Sequence, residues 1–467
     1  MPTTIDRANT PNDLLHRLVR GGLPELLAAV EAEGRSLPRF VVREMERFLR
    51  CGDPEEGFAW LWCRDCDHHR IVPCSCKSRG FCPSCGGRRM AERAARWVDE
   101  LFPRVAVRQW VLTIPWPRRW LLARKPKLVR GMHRIAMKEV FAFYRRKLIR
   151  SAGKRSQTGA VTVVQRFSSD LRLNLHFHAL VLDGVYARDA KTGKLRFHRA
   201  PAITTVEVED IVERIARKAE RWLARQGFGV DDPEAVDDTY PDDALAELQA
   251  ASIEGRAAVG PRAGRRDRRQ QVLGGKPYAL PPRCGAFNGY NLHAGVVVGA
   301  RARPALERLA RYVCRPPLAK PRIEESPDGG VVLHLRRPWS DGTTAIELSR
   351  LELTQRLAAQ VPPPRMHQLF YTGILGRRAT WRREVTPRPP RPCGQDACSR
   401  EAAKLRRSGS GRSRWFPWAA LLSRVFGVHA WNCPRCGQRM ELRAEVVLPP
   451  ATRKILAGLA AASAVPP

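Results

Sequence analysis

The stretch LNLHFHALVLD, residues 173–183, sets two imidazoles one residue apart within an otherwise apolar run. Alternate residues of a strand face opposite ways. Leu173, Leu175, Phe177, Ala179 and Val181 therefore predict one unbroken apolar face, with Asn174, His176 and His178 on the other. Imidazole is the commonest metal-binding side chain, and a rigid strand fixes two of them at once, so the pair suits two ligands of one divalent ion. Two satisfied core or edge histidines would show the same pattern, and on this stretch alone that arrangement is the commoner one.

A second chemical signal is sulfur. Of 13 cysteines, Cys63, Cys66, Cys74, Cys76, Cys82 and Cys85 share one short segment, and the N-terminal MPTTIDRANT lacks a basic-then-apolar export pattern. That combination favours metal ligation over disulfides. Cys63-x2-Cys66 and Cys82-x2-Cys85, fifteen residues apart, have the spacing of a four-cysteine zinc ribbon. Cys51, Cys76 and His68 are further zinc candidates, for a second ion or an exchanged ligand, while Cys74 and Cys76 read equally well as plain thiols. Cys433-x2-Cys436 is half a site, with Cys393 and Cys398 as candidate partners.

The third signal is RPALERLARYVCRPP, residues 303–317. Proline suits the first helical turn, and a proline pair stops the helix. On a helical wheel Leu306, Leu309, Ala310 and Val313 form the apolar stripe, and Arg308, Arg311 and Arg315 cluster on another face. Tyr312 falls on the border. A hydroxyl held beside guanidiniums suits attack on a phosphate, although an isolated tyrosine at a core boundary is more often amphipathic packing.

Lys and Arg number 82 against 46 Asp and Glu, a net charge of +36 with pI near 10.9. Even allowing for general arginine enrichment, an excess this large points to a polyanionic partner, because neutralising phosphates releases condensed counterions. No apolar run is long enough for a membrane span, so a cytoplasmic protein is expected.

The elements that must position these groups follow from periodicity. Helices are predicted over 12–49, 90–101, 127–149, 206–226, 304–315 and 346–360, and strands over 107–114, 159–167, 173–183, 195–199, 291–298, 331–335 and 442–447. Further helices are expected at 245–253, 417–426 and 452–461. Asn291 and His293 share a strand face. The expected class is α+β, a central antiparallel sheet with flanking helices, preceded by a helical and zinc-ribbon domain and followed by a small C-terminal domain. The expected divisions are 1–100 for the helical lead-in and zinc-binding domain, and 101–375 for the catalytic domain with an insertion at about 227–282. A Pro/Arg-rich linker over 376–415 and a C-terminal domain over 416–467 with one C-x2-C complete the chain. The arginines of the insertion read as a solvated charge run.

Taken in order, CGDPEEGFAWLWCRDC, SCKSRGFCPSCGGRRM, GAVTVVQRF, LNLHFHALVLDGVY, NLHAGV, LERLARYVCRPPLA, PWSDGTT, VPPPRMHQLFYTGIL and CPRCGQRM resemble the rolling-circle insertion-sequence transposases of the IS91 group, members of the HUH endonucleases. The resemblance implies an HUH-type palm and an enzyme that nicks and transfers single-stranded DNA, including transposon ends, through a 5′-phosphotyrosine intermediate. It implies Mg²⁺ or Mn²⁺ at His176 and His178, attack by Tyr312, and charge stabilisation by Arg311 and Arg315. A third metal ligand is usual in such sites, for which His293 is proposed and Gln165 is the second choice. Founding members carry two tyrosines four residues apart, whereas Arg308 stands four before Tyr312. Only one nucleophile is visible, as in the single-tyrosine branch, so reuse of Tyr312, a second protomer in a homo-oligomer, or a free 3′-OH must complete transfer. Two alternatives are a zinc-ribbon nucleic-acid-binding protein without nuclease activity and a plasmid-type replication initiator.

Overall fold

A computed structural model describes residues 3–5, 13–229, 244–271, 281–319, 322–387 and 431–464. The chain begins with β1 (Thr3–Ile5) and the paired helices α1 (Leu14–Glu31) and α2 (Arg39–Leu49). β2 (Phe58–Trp62), β3 (His69–Pro73) and α3 (Pro83–Arg96) follow. α3 starts earlier than its periodicity suggests, with Cys82 as the capping residue and Pro83 at its first position. Its last residues run into a wider π-type turn, Trp97–Leu101.

The central part comprises β4 (Val107–Thr113), α4 (Trp116–Arg124), α5 (Pro126–Lys147), α6 (Ile149–Ala152), β5 (Gly159–Phe167) and β6 (Leu173–Leu182). A separate hairpin, β7 (Gly184–Arg188) and β8 (Leu195–Arg199), leads to α7 (Thr205–Ala224), entered through a Thr204/Glu207 capping box. Within the expected insertion lie α8 (Ala244–Glu254) and β9 (Arg268–Gln271). β10 (Cys284–Phe287), β11 (Tyr290–His293), β12 (Val297–Val298) and α9 (Arg303–Cys314) come next. The predicted 291–298 strand is thus broken in two.

β13 (Ile323–Glu325), β14 (Val331–His334), β15 (Thr343–Leu348), α10 (Arg350–Gln360), β16 (Leu369–Gly373), α11 (Arg382–Val385), β17 (Glu441–Val446) and α12 (Pro449–Ala464) complete the order. Two local expectations change here. Residues 343–348 form a strand, and the helix starts only at Arg350, because Ser349 and Glu352 close a capping box at its entry, with Ser349 N–H to Glu352 Oε2 at 2.7 Å. Residues 369–373, to which periodicity assigns no element, are a strand on β5. The expected helix at 417–426 lies outside the described residues.

The main sheet runs β10-β11-β4-β6-β5-β16, with β12 also on β4, and every pairing in it is antiparallel. β6 is central, and its predicted apolar face is real. Leu173, Leu175, Phe177, Ala179 and Val181 are buried in one core with Met132 and Val140 of α5 and Ile211 and Ile215 of α7. The opposite face carries the histidines and packs Leu180, Leu182, Val161 and Val163 against Leu306, Ala310 and Val313 of α9. A sheet sandwiched between helices therefore holds the His-x-His and the tyrosine helix on the same side.

A third core joins α1 and α2 to α8, α10 and the sheet β13-β14-β15-β9. In a fourth, smaller unit β17 pairs with β2 in the sheet β1-β3-β2-β17. The strand assigned to a small C-terminal domain thus completes a sheet of the N-terminal one.

Candidate active site and cysteine clusters

Register decides what surrounds the histidines. His176 lies between Thr113 of β4 and Gln165 of β5, and His178 between Val111 and Val163. Residues directly opposite on neighbouring strands share a face, so Gln165 stands beside His176. The two imidazole centroids are 4.8 Å apart, and the two residues are 9% and 4% exposed. His176 Nδ1 meets the carbonyl of Asn174 at 2.9 Å, which makes Nδ1 the protonated nitrogen and leaves Nε2 with its lone pair. His178 Nδ1 lies 2.8 Å from the side-chain amide of Gln109. Its Nε2 is buried without a partner, as is Oε1 of Gln165, whose Nε2 donates to the Val313 carbonyl at 2.7 Å. Burial, aided by Arg315 and Arg119, lowers the His176 pKa to about 4, and burial, then His176 and Arg315, holds that of His178 well below the usual imidazole value. Both rings are neutral at physiological pH, the state that ligates metal.

His293 pairs with Val111, so it faces the same way as His178 but stands beyond β4, two strand spacings of about 4.8 Å each away. Among the described residues no third His, Cys, Asp or Glu joins the pair within ligating range. Gln165 and Thr113, not His293, are the polar residues that the register brings to His176.

The Tyr312 ring stands perpendicular to His178 at 5.9 Å and is 45% exposed, so the phenol sits over the buried imidazoles and open to solvent. The Arg315 guanidinium covers the tyrosine ring at 4.3 Å and donates to its carbonyl at 3.0 Å. Arg311 is elsewhere. It meets Glu307 at 3.4 Å and lines a separate groove with Arg308 and Arg303. Helical geometry explains the division, since adjacent residues point about 100° apart.

The cysteines divide differently from the single ribbon expected from spacing. Cys51, Cys76, Cys82 and Cys85 form one group and Cys63, Cys66, Cys433 and Cys436 another, with the sulfurs of each within 4.8 Å of one another. Contacts include Cys76–Cys85 at 3.4 Å and Cys51–Cys82 at 3.6 Å in the first group. In the second, Cys63–Cys436 and Cys66–Cys433 are both 3.5 Å. The ribbon expectation is corrected because pairing of β2 with β17 brings Cys436 beside Cys63, while α2 and α3 bring Cys51 to Cys82 and Cys85. Each set of four thiols fits a tetrahedral zinc. His68 joins neither group. Cys393 and Cys398 lie outside the described residues. Sequence reasoning passed over Gln109, though a polar residue in the apolar strand VRQWVLT is a readable signal.

With the geometry in place, comparison with known families agrees. Residues 159–382, from β5 through β16, match the transposase family Y2_Tnp. That match defines the class as a transposase, an enzyme acting on DNA. Residues 24–114 match the transposase zinc-binding domain of IS91 elements, so the chain belongs to the IS91-type transposases with an N-terminal zinc-binding domain, and its two cysteine clusters suit structural zinc. No curated protein and no solved structure matches it. Among the described residues no helix is long and apolar enough to cross a membrane.

Proposed function

We propose that the chain cleaves and rejoins single-stranded DNA by the HUH route, with Tyr312 as nucleophile and His176, His178 and Gln165 as holders of Mg²⁺ or Mn²⁺. The observation that carries this reading is the buried, unpartnered Nε2 of His178 beneath an exposed tyrosine. A buried polar atom without a partner costs about 1–3 kcal/mol, and an ion would relieve that cost at His178 and at Gln165 Oε1 together. Gln109 Nε2 faces His178 Nδ1 at 2.8 Å; ligation through His178 Nε2 requires that amide to turn over, so that its carbonyl oxygen accepts from Nδ1–H and the Nε2 lone pair is free. A divalent ion bound there would polarise the scissile phosphate as a Lewis acid.

The chain's own residues do the rest. The Tyr312 oxygen attacks phosphorus, an Oη–P bond forms, the P–O3′ bond breaks, and the phenolic proton is exchanged for the one taken up by the departing 3′-oxygen. The phosphodiester energy is kept in the 5′-phosphotyrosine, so a 3′-OH can reverse the step without ATP. Arg315, resting on the ring, offsets the charge on the phosphate oxygens. Arg311, paired with Glu307, is better suited to holding the strand than to the reacting phosphate. Arg308 takes the place of a second tyrosine, so strand transfer uses Tyr312 twice, a second protomer, or a free 3′-OH.

The test is adduct formation. Full-length protein with labelled single-stranded oligonucleotides bearing the element's ends, plus Mn²⁺, should give a covalent band on a denaturing gel that EDTA abolishes. Tyr312→Phe should lose it entirely, and Gln165→Ala should lower its rate by roughly 10–100-fold, as removal of a metal-supporting group does. An adduct undiminished in Tyr312→Phe would refute the nucleophile. No adduct on any end would favour a DNA-binding role for this copy.

A further inference from the structure

Between α3, the open end of β5 and the residues after Tyr312 lies a small cavity of about 100 Å³. Its lining includes Arg79, Arg89, Arg93, Arg166 and Arg315 and, among the described residues, no Asp or Glu. In the groove beside Asn174, three arginines have acidic partners: Arg172 with Asp170, Arg256 with Glu254 and Arg269 with Asp341. In the cavity the donors go to neutral groups. Arg79 reaches the Met366 carbonyl at 3.2 Å and Arg89 the Lys77 carbonyl at 3.3 Å.

Arg166 is the extreme case. At 2% exposure it donates to the carbonyls of Gln360 and Ala123 and to the Met366 sulfur, at 3.1, 3.0 and 3.3 Å, while its Nη2 has no partner. Burial alone lowers its pKa to about 9, a sign of how poorly the cation is compensated. Burial, then Arg93, lowers the pKa of Arg89, and the nearby sulfurs of Cys85, Cys82 and Cys76 offset this only in part. Arg315 already sits on Tyr312. Arg79, Arg93 and Arg166 remain with Arg89, a cluster of cations with no carboxylate among the described residues that line the cavity.

We propose that this cavity seats one backbone phosphate of the DNA strand, next to the phosphate that Tyr312 attacks. The identity of the strand rests on the nuclease reading above, whereas the existence of an anion site does not. Three guanidiniums can surround phosphate oxygens with charge-assisted hydrogen bonds, and the donors come from both α3 and β5. The zinc-bearing segment and the catalytic sheet would thus grip the same phosphate. Close packing ties these parts together, since a Cβ on Gly86 of α3 would lie 2.6 Å from Pro316, just after the nucleophile helix.

The experiment uses the full chain carrying Tyr312→Phe, without divalent ion, and fluorescence anisotropy on single-stranded oligonucleotides with one neutral methylphosphonate at successive positions. One position should weaken binding roughly tenfold. Adding Arg79→Gln and Arg93→Gln should weaken binding to the unmodified strand similarly and erase the effect of that position. The slope of log affinity against log salt should become shallower by about 0.7 for each phosphate that is no longer neutralised. Because Arg166 is buried, Arg166→Met serves as a second variant, and Arg79→Gln alone, at an exposed position, keeps the test decisive if the others unfold. Unchanged affinity with an unchanged methylphosphonate profile would overturn the proposal. So would a thermal shift with inorganic phosphate that the variants abolish while DNA binding is unaltered, the mark of a free-anion site. If the parent tyrosine protein gives no adduct but the methylphosphonate effect disappears in the variants, the nucleophile assignment fails and the phosphate site stands.

Discussion

Mutating Cys433 and Cys436 together to Ser should remove one of two zinc ions and release the C-terminal segment, though both residues lie far from Cys63 and Cys66 in sequence. Bridging Cys66 to Cys433 closes a loop of 367 residues, whereas Cys51 to Cys85 closes one of 34. In the chain-entropy treatment of cross-links, these loops correspond to about 6 and about 4 kcal/mol of unfolded-state constraint. The long-range cluster is therefore the stronger staple. Without it, β17 and α12 keep their ladder to β2, a small core around Phe58, Ile71, Val446 and Leu459, and a few polar contacts such as Thr452 Oγ1 to the Glu55 carbonyl at 2.6 Å and Arg64 to Glu441 at 3.1 Å. Metal analysis of purified protein should give two zincs per chain, and one in the double Ser variant or in Cys82→Ser. A protease site introduced between residues 388 and 430 supplies the second readout. After cleavage the C-terminal piece should stay bound in the parent and separate in the variant or on chelation. Two zincs retained in the double variant, or a single ion in the parent lost equally by Cys63→Ser and Cys82→Ser, would refute the partition and restore one ribbon.

Two predictions concern stability. His133, 4% exposed and stacked on Phe370, is held near pKa 4 by burial, against about 6.5 in an unfolded chain. Below pH 6.5 the unfolded chain binds a proton that the folded one refuses, so stability is lost as pH falls, by about 3 kcal/mol at pH 4. Urea unfolding of His133→Gln across pH 7 to 4 should show that much less pH dependence, and an unchanged slope would contradict the assignment. Gly131 on α5 leaves no room for a methyl group, since an added Cβ would lie 2.1 Å from the Trp222 ring. Gly131→Ala should destabilise by about 1–3 kcal/mol, with altered tryptophan fluorescence on thermal unfolding; an unchanged melting temperature would mean that Trp222 can move aside.

Much of the scaffold was legible because it rests on local pattern. Strict alternation in LNLHFHALVLD identified β6, its apolar face and the placement of its histidines on the other, and Pro304 with the later proline pair bounded the Tyr312 helix. Where pattern was ambiguous the reading slipped. TTAIEL and LFYTG are short strands held in place by pairing with β14 and β5, not by their own composition. Types of chemistry were likewise readable from His, Cys and Tyr spacing, together with an ordered likeness to a family. Partnership was not. Which strand lies next to β6 decided that Gln165 and not His293 stands beside His176, and the turn of one helix decided that Arg315 and not Arg311 covers Tyr312. Four cysteines of suitable spacing were split between two clusters by a strand from the far end of the chain. Spacing records only which ligands are close along the backbone. A metal site closes in three dimensions, so its membership is settled by strand register and helix packing.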